Sequence, residues 1–144
     1  MQKTALVTGA SRGLGLSIVE EFRGRGWRVV ALVRTAEDAA ILAGKEEVVP
    51  VLADIRSPQV SGAISQPLAC LGGSLDALVN NAGQGGKGVK LDHLDTNVVE
   101  DLLNTHCLGA IRVTQAALPF LRRSESSAVI NITSRFASLG LLAD

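Results

Sequence analysis

The sequence predicts an α/β domain with a doubly wound parallel sheet, and three observations carry that expectation. Short, continuously apolar runs alternate with segments whose apolar residues recur at helical spacing, the pattern of strands covered on both faces and of amphipathic helices. Glycine, at 15 residues, gathers where these segments meet. A length of 144 residues with 47% apolar content is enough for one domain, residues 1–144, with a buried core.

Thr4-Ala5-Leu6-Val7-Thr8 is the first strand, and Leu14, Ile18 and Phe22 mark a helix that Gly24 and Gly26 close. Arg28 to Val33 is a second apolar run. Thr35 with Asp38 resembles a capping box opening a short helix through Leu42, ended by Gly44. Val48 to Leu52 is the third strand. Ser57-Pro58 reads as N-cap and first turn of a helix with Val60, Ile64 and Leu68 on one face, with Pro67 and then Gly72-Gly73 marking its end. Leu75 to Val79 is the fourth strand, and Gly83 to Gly88, with four glycines in six residues, is a loop. From Asp95 to Leu121 the pattern is one long helix, whose stripe of Val99, Leu103, His106, Ala110, Val113 and Ala117 should face inward. Ala128 to Thr133 is the fifth strand, after which the sheet is cut short.

Fourteen basic side chains balance fourteen acidic ones, so no net field draws nucleic acid or an anionic membrane surface. Cys70 and Cys107 lie far apart without metal-ligand spacing and read as buried, reduced thiols of a cytoplasmic protein. Met1 leads almost directly into the first strand, which leaves no room for a signal peptide, and no apolar stretch reaches membrane-spanning length.

Thr8-Gly9-Ala10-Ser11-Arg12-Gly13-Leu14-Gly15 sits after the first strand and opens the first helix, the place of a dinucleotide site. There Gly9 permits the tight turn, Gly13 lets a pyrophosphate approach the backbone, and Gly15 lets helix and strand pack closely. The spacing by itself also suits an ordinary β-α turn of a doubly wound protein that binds something else. A second motif, Asn80-Asn81-Ala82-Gly83, follows the fourth strand in register with the first.

Together these motifs resemble the short-chain dehydrogenase/reductase family, whose fold is of the Rossmann type. Further matches are Asp54 after the third strand, Val113 to Pro119 late in the long helix, and Ile130-Asn131-Ile132-Thr133-Ser134, so the resemblance covers essentially the whole chain. It implies a cofactor surface made of Gly9, Ser11, Arg12, Gly13, Leu14, Gly15, Arg34, Asp54, Ile55, Asn81, Ala82 and Gly83, with Asp54 at the adenine. An acidic residue ending the second strand would bind the ribose hydroxyls of NAD. Arg34 stands there instead, and Arg12 lies where the family often places a second cation, so the expected cofactor is NADP(H) over NAD(H).

The resemblance also implies hydride transfer to or from a small-molecule carbonyl or alcohol substrate. In the family a tyrosine moves the proton, its pKa lowered by a lysine, while a serine holds the substrate oxygen and an asparagine of the long helix supports a relay. Ser134 matches the serine. The asparagine position falls on His106, either a relay imidazole or a satisfied core histidine. The chain has no tyrosine. It is therefore expected to be inactive alone, as part of a complete reductase or as a natural short module that binds nucleotide or a partner. Stability favours the first, because an outer fifth strand without blunting charges or proline is an unprotected edge. The family habit of pairing through the long helix implies a homodimer or larger homo-oligomer.

Overall fold

The computed structural model describes residues 2–85 and 89–134. Gly86, Lys87 and Gly88 of the glycine-rich loop, and residues 135–144, lie outside this range.

Five strands, β1 (Thr4–Thr8), β2 (Arg28–Val33), β3 (Val48–Leu52), β4 (Ala77–Asn80) and β5 (Ala128–Asn131), form one parallel sheet in the order β3-β2-β1-β4-β5. The chain winds outward one way from β1 to β3, then returns to place β4 against the other side of β1. The switch point of this doubly wound topology lies between β1 and β4.

Side-chain alternation divides the core into two layers. Leu6, Val30, Leu32 and Leu78 point to the face covered by α3 (Val60–Cys70) and α5 (Ala110–Leu121), where they meet Ile64, Leu68, Val113 and Ala117. Val7, Val29, Ala31, Val33 and Val79 point to the opposite face, with Val19 of α1 (Gly13–Gly24) and Leu42 of α2 (Ala36–Leu42). Both faces of β1 and β2 are therefore dry, which explains their unbroken apolar sequence.

Several local expectations shift. In α1 the buried positions are Gly15 and Val19, with Ile18 and Phe22 beside them, whereas Leu14 is 56% exposed. Half the capping box forms at α2: the Asp38 N–H donates to Thr35 Oγ1 at 3.1 Å. Ser57 and Pro58 lie in a turn before α3, where the Gln59 N–H donates to Ser57 Oγ at 3.3 Å, and Pro67 sits inside the helix instead of ending it. The fourth and fifth strands are Ala77–Asn80 and Ala128–Asn131, shorter or displaced from their sequence limits. Cys70 and Cys107 are free but exposed, which corrects the expectation of buried thiols. The buried stripe Val60, Ile64 and Leu68 turns Cys70 outward on α3.

The largest correction concerns the long helix. It is α4 (Thr96–Leu103), a π-helical segment (Asn104–Gly109) and α5 in succession, preceded by a short 3-10 helix (Leu91–His93). A π-turn carries one extra residue and rotates the face that follows it. Thr105 and Gly109 are buried, in line with Val113, Ala117 and Leu121 of α5, while Leu103 and His106 are exposed. A period read straight through from Val99 therefore picks the wrong side before Ala110.

No helix among the described residues is long and apolar enough to cross a membrane. All four residues of β5 are exposed although all four of β4 are buried, so among the described residues β5 forms an open edge of the sheet. Leu78 and Val129 are register partners in these strands, 0% and 44% exposed. Leu78→Ala should cost roughly 2–5 kcal/mol of unfolding free energy, and Val129→Ala under about 1 kcal/mol. Urea denaturation of the two variants checks this; equal losses would contradict the placement of the core.

Candidate functional site

The turns after β1 and β4 interlock at the switch point. Thr8, 1% exposed, accepts the Asn81 N–H at 3.0 Å and the Ala82 N–H at 2.9 Å on its hydroxyl oxygen. In return, Asn81 Nδ2 donates to the carbonyl oxygens of Thr8 at 3.0 Å and Gly9 at 3.2 Å. Glycine is needed on both sides of this contact. Gly9 has φ +64°, and a Cβ there would lie 2.9 Å from Ala82 Cα. A Cβ on Gly15 would overlap the Gly9 carbonyl oxygen and come within 2.5 Å of Asn81 Nδ2. At Gly13 the φ is +53°, but the space beside it is open.

That open space belongs to a groove of about 580 Å³ along the carboxyl ends of the strands. Every residue from Gly9 to Gly83 singled out in the sequence as cofactor-binding lines it: Gly9, Ser11, Arg12, Gly13, Leu14, Gly15, Arg34, Asp54, Ile55, Asn81, Ala82 and Gly83. The first turn of α1 opens into this groove with no acidic residue and no side-chain cap from Arg12, so its leading N–H groups are available to an anion. Arg12 and Arg34 stand exposed on the same wall, which the half-buried Asp38 also lines.

Farther along, Asp54 is gripped by Arg56. Arg56 Nη2 donates to Asp54 Oδ2 at 2.7 Å, Nε to the same oxygen at 3.0 Å, and the Arg56 backbone N–H to Oδ1 at 2.9 Å. Those hydrogen bonds hold the Asp54 carboxyl below its ordinary pKa, against the opposing effect of burial and with Arg34 adding a smaller attraction. The same pairing raises the Arg56 guanidinium. Stability from this pair is present above the ordinary aspartate range and is lost as pH falls through the depressed folded value.

Of the two sequence readings of His106, a relay imidazole or a satisfied core histidine, the second is corrected, because the residue does not pack into the core. It is exposed, and its ring lies against Gly83, where a Cβ would come 2.7 Å from Cε1. His106 Nε2 is 2.8 Å from the Gln84 carbonyl oxygen and 3.3 Å from the Gln84 nitrogen. One ring nitrogen cannot serve both, and the shorter contact assigns the proton to Nε2, donating to the carbonyl. His106 also lines a second cavity of about 420 Å³ with Asn80, Cys107, Thr114, Asn131 and Thr133. There Asn80 Nδ2 donates to Thr114 Oγ1 at 3.1 Å and Asn131 Oδ1 at 2.8 Å, tying β4, α5 and β5 together. Ser134 follows Thr133 at the end of β5 and is exposed.

A nucleotide-sized groove at the switch point, built from two glycine turns, is now joined by sequence comparison: the family model for short chain dehydrogenase matches residues 3–142. The chain belongs to the short-chain dehydrogenase family. Among curated relatives, an oxidoreductase of Botryotinia fuckeliana, BOA17, is 32% identical over 97% of this chain and 52% of its own length. The 3-oxoacyl-[acyl-carrier-protein] reductase FabG of Staphylococcus epidermidis is also 32% identical, over 97% of this chain and 59% of its own. The solved structure of an NADPH-bound carbonyl reductase from chicken fatty liver superposes with TM-score 0.88 at 28% identity, covering 99% of this chain and 63% of that one. The chain thus spans between half and two thirds of the length of these short-chain dehydrogenase relatives, and its fold is that of an oxidoreductase family.

Sequence reasoning missed Thr8, Arg56, Thr105 and also Asp101 of α4, whose Oδ1 accepts from Arg56 Nη1 at 3.1 Å. The Thr8 hydroxyl was readable as the residue before the glycine turn, but its partners 73 and 74 positions away were not. Thr105 lines the groove only because the π-segment turns it inward.

The Thr8 contact can be tested by Thr8→Val, which keeps the shape but leaves two backbone donors without their acceptor. A loss of roughly 1–3 kcal/mol is expected. Thr8→Ser should retain most of the stability. Equal unfolding midpoints for the Val and Ser variants would show that the hydroxyl is dispensable.

Proposed function

We propose that the chain is a single dinucleotide-binding domain whose groove takes NADP(H), in a protein that moves hydride between the nicotinamide and a small carbonyl or alcohol substrate. The observation that carries this reading is the uncapped first turn of α1 opening into the same groove as Arg12 and Arg34. Residues and ligand fit on three counts. The N–H groups of the first turn suit a pyrophosphate, the open side of Gly13 lets it come close, and a guanidinium at Arg34 or Arg12 pairs with a 2′-phosphate. Asp54, kept ionised, is an acceptor for the adenine amine.

When bound, NADPH would supply the hydride to a carbonyl and NADP+ would accept it from an alcohol. Ser134 is assigned to the substrate oxygen, at the strand end where ligands sit in open parallel sheets. His106, fixed by its bond to Gln84 beside Gly83, borders the same end and is the candidate for the relay position. Because the chain has no tyrosine, the family's proton-transferring pair belongs in this reading to the part of its relatives that it does not span, and the chain alone is inactive. The apolar Val98, Leu103, Leu108, Ile111 and Leu118, all exposed, support pairing of copies through the 95–121 segment that spans α4, the π-segment and α5. Free Cys70 and Cys107 support a reducing, cytoplasmic setting.

Titration of NADPH with the protein should change the fluorescence of the nucleotide saturably, with NADP+ competing. A spectrum unaltered at high protein concentration would end the cofactor reading. Arg34→Asp should lower affinity for NADPH by about tenfold or more, since it removes a charge-assisted bond and sets a carboxylate against phosphate. NADH should lose far less. An unchanged ratio of the two dissociation constants would remove Arg34 from the 2′-phosphate.

A further inference from the structure

α4 has no buried residue, and Val98 and Leu103 on it are 46% and 57% exposed. Burial therefore does little to fix this helix. Its position nevertheless matters to the groove, because Asp101 on α4 lies one turn before Thr105, a residue of the groove wall. Among the described residues, the side-chain hydrogen bonds that tie α4 to the turns after β3 and β4 converge on Asp101. Arg56 Nη1 donates to Asp101 Oδ1 at 3.1 Å and to Oδ2 at 3.4 Å, and Gln84 Nε2 donates to Oδ2 at 3.4 Å. Gln84 is the residue whose carbonyl receives His106.

We propose that Arg56 is a positioning residue for the nucleotide groove: one side of its guanidinium sets the orientation of the Asp54 carboxylate, and the other holds α4 through Asp101. The nucleotide half of this inference rests on the cofactor reading above; the tie to α4 stands without it. The planar fork of arginine is what makes the arrangement possible. Nε and Nη2 address Asp54 while Nη1 reaches Asp101, 45 residues later in the chain, and the point charge of a lysine could not serve both with fixed geometry. A carboxylate offers about four lone-pair sites. Arg56 directs three hydrogens at Asp54, from its backbone N–H, Nη2 and Nε, the last shared between Oδ1 at 3.2 Å and Oδ2 at 3.0 Å, so the carboxylate cannot spin and its remaining acceptor capacity keeps one direction. An adenine amine, a donor, is matched by that acceptor; the carbonyl of hypoxanthine at the same position is not.

The pair is partly open to solvent, with Arg56, Asp54 and Asp101 side chains 33%, 33% and 51% exposed, so each arm is modest. Cutting one arm should change an equilibrium by about two- to fivefold. Two measurements on Arg56→Gln and Asp101→Asn test the proposal. Hydrogen exchange of the amides in residues 96–103, followed without nucleotide, should speed up in both variants by about that factor. Binding of NADPH and of its hypoxanthine analogue should show a preference for adenine in the unaltered protein that shrinks in Arg56→Gln, with Arg56→Lys in between. Unchanged exchange in both variants overturns the tie to α4. An unchanged adenine preference in Arg56→Gln overturns the Asp54 arm. An unaltered protein that binds neither nucleotide removes the cofactor reading, and with it the Asp54 arm, while the exchange rates still decide the tie to α4. If Arg56→Gln fails to fold, Asp101→Asn, at a half-exposed carboxylate, still decides the tie to α4, and an unchanged adenine preference in Arg56→Lys overturns the Asp54 arm.

Discussion

Everything at the carboxyl ends of the strands depends on how closely the turns after β1 and β4 approach each other. The Thr8 hydroxyl accepts two backbone N–H groups from the second turn, and Asn81 returns two bonds to the carbonyls of the first. Four hydrogen bonds within this small area demand a distance that side chains would prevent. Gly9 and Gly15 supply it by having none, since a methyl on either would meet Ala82, the Gly9 carbonyl oxygen or Asn81. The groove is the space left over once this contact is made, which is why the two motifs, 66 positions apart at Gly15 and Asn81, line it together.

The sheet was legible in the sequence because strands buried on both faces must be apolar throughout, and β1 and β2 are. The glycine turns were legible because glycine at those offsets has few other uses. Helix faces were less so. In α1 the position at the centre of the buried face is Gly15, which has no hydropathy to detect, so the apolar residues around it pointed to a face displaced by one residue. The contact of Arg56 with Asp101 was beyond reach for another reason: Asp54 lies two residues from Arg56, but Asp101 lies 45 residues on and meets it only when the fold brings α4 to the turn after β3. No periodicity records that.

The π-segment Asn104–Gly109 shows how one inserted residue redistributes roles. It carries Thr105 to the groove and Gly109 under Ile55, whose Cδ1 would stand 2.8 Å from a Cβ at that glycine. It sends His106 to the rim beside Gly83, where the ring bridges to the glycine-rich loop through Gln84. α4, which precedes the segment, has no buried residue, and its position falls largely to polar side chains.

The two outward-facing cysteines carry a practical consequence. Cys70 sits on α3 and Cys107 on the π-segment, on separate elements and both open to solvent. With respect to disulfide chemistry each molecule is bivalent. Under air oxidation a monovalent protein stops at covalent pairs, but a bivalent one propagates, each new bond leaving a further thiol at the growing end. Covalent ladders of increasing mass on a non-reducing gel would then report thiol chemistry and not assembly, and any measurement of oligomeric state has to be made with both thiols held reduced.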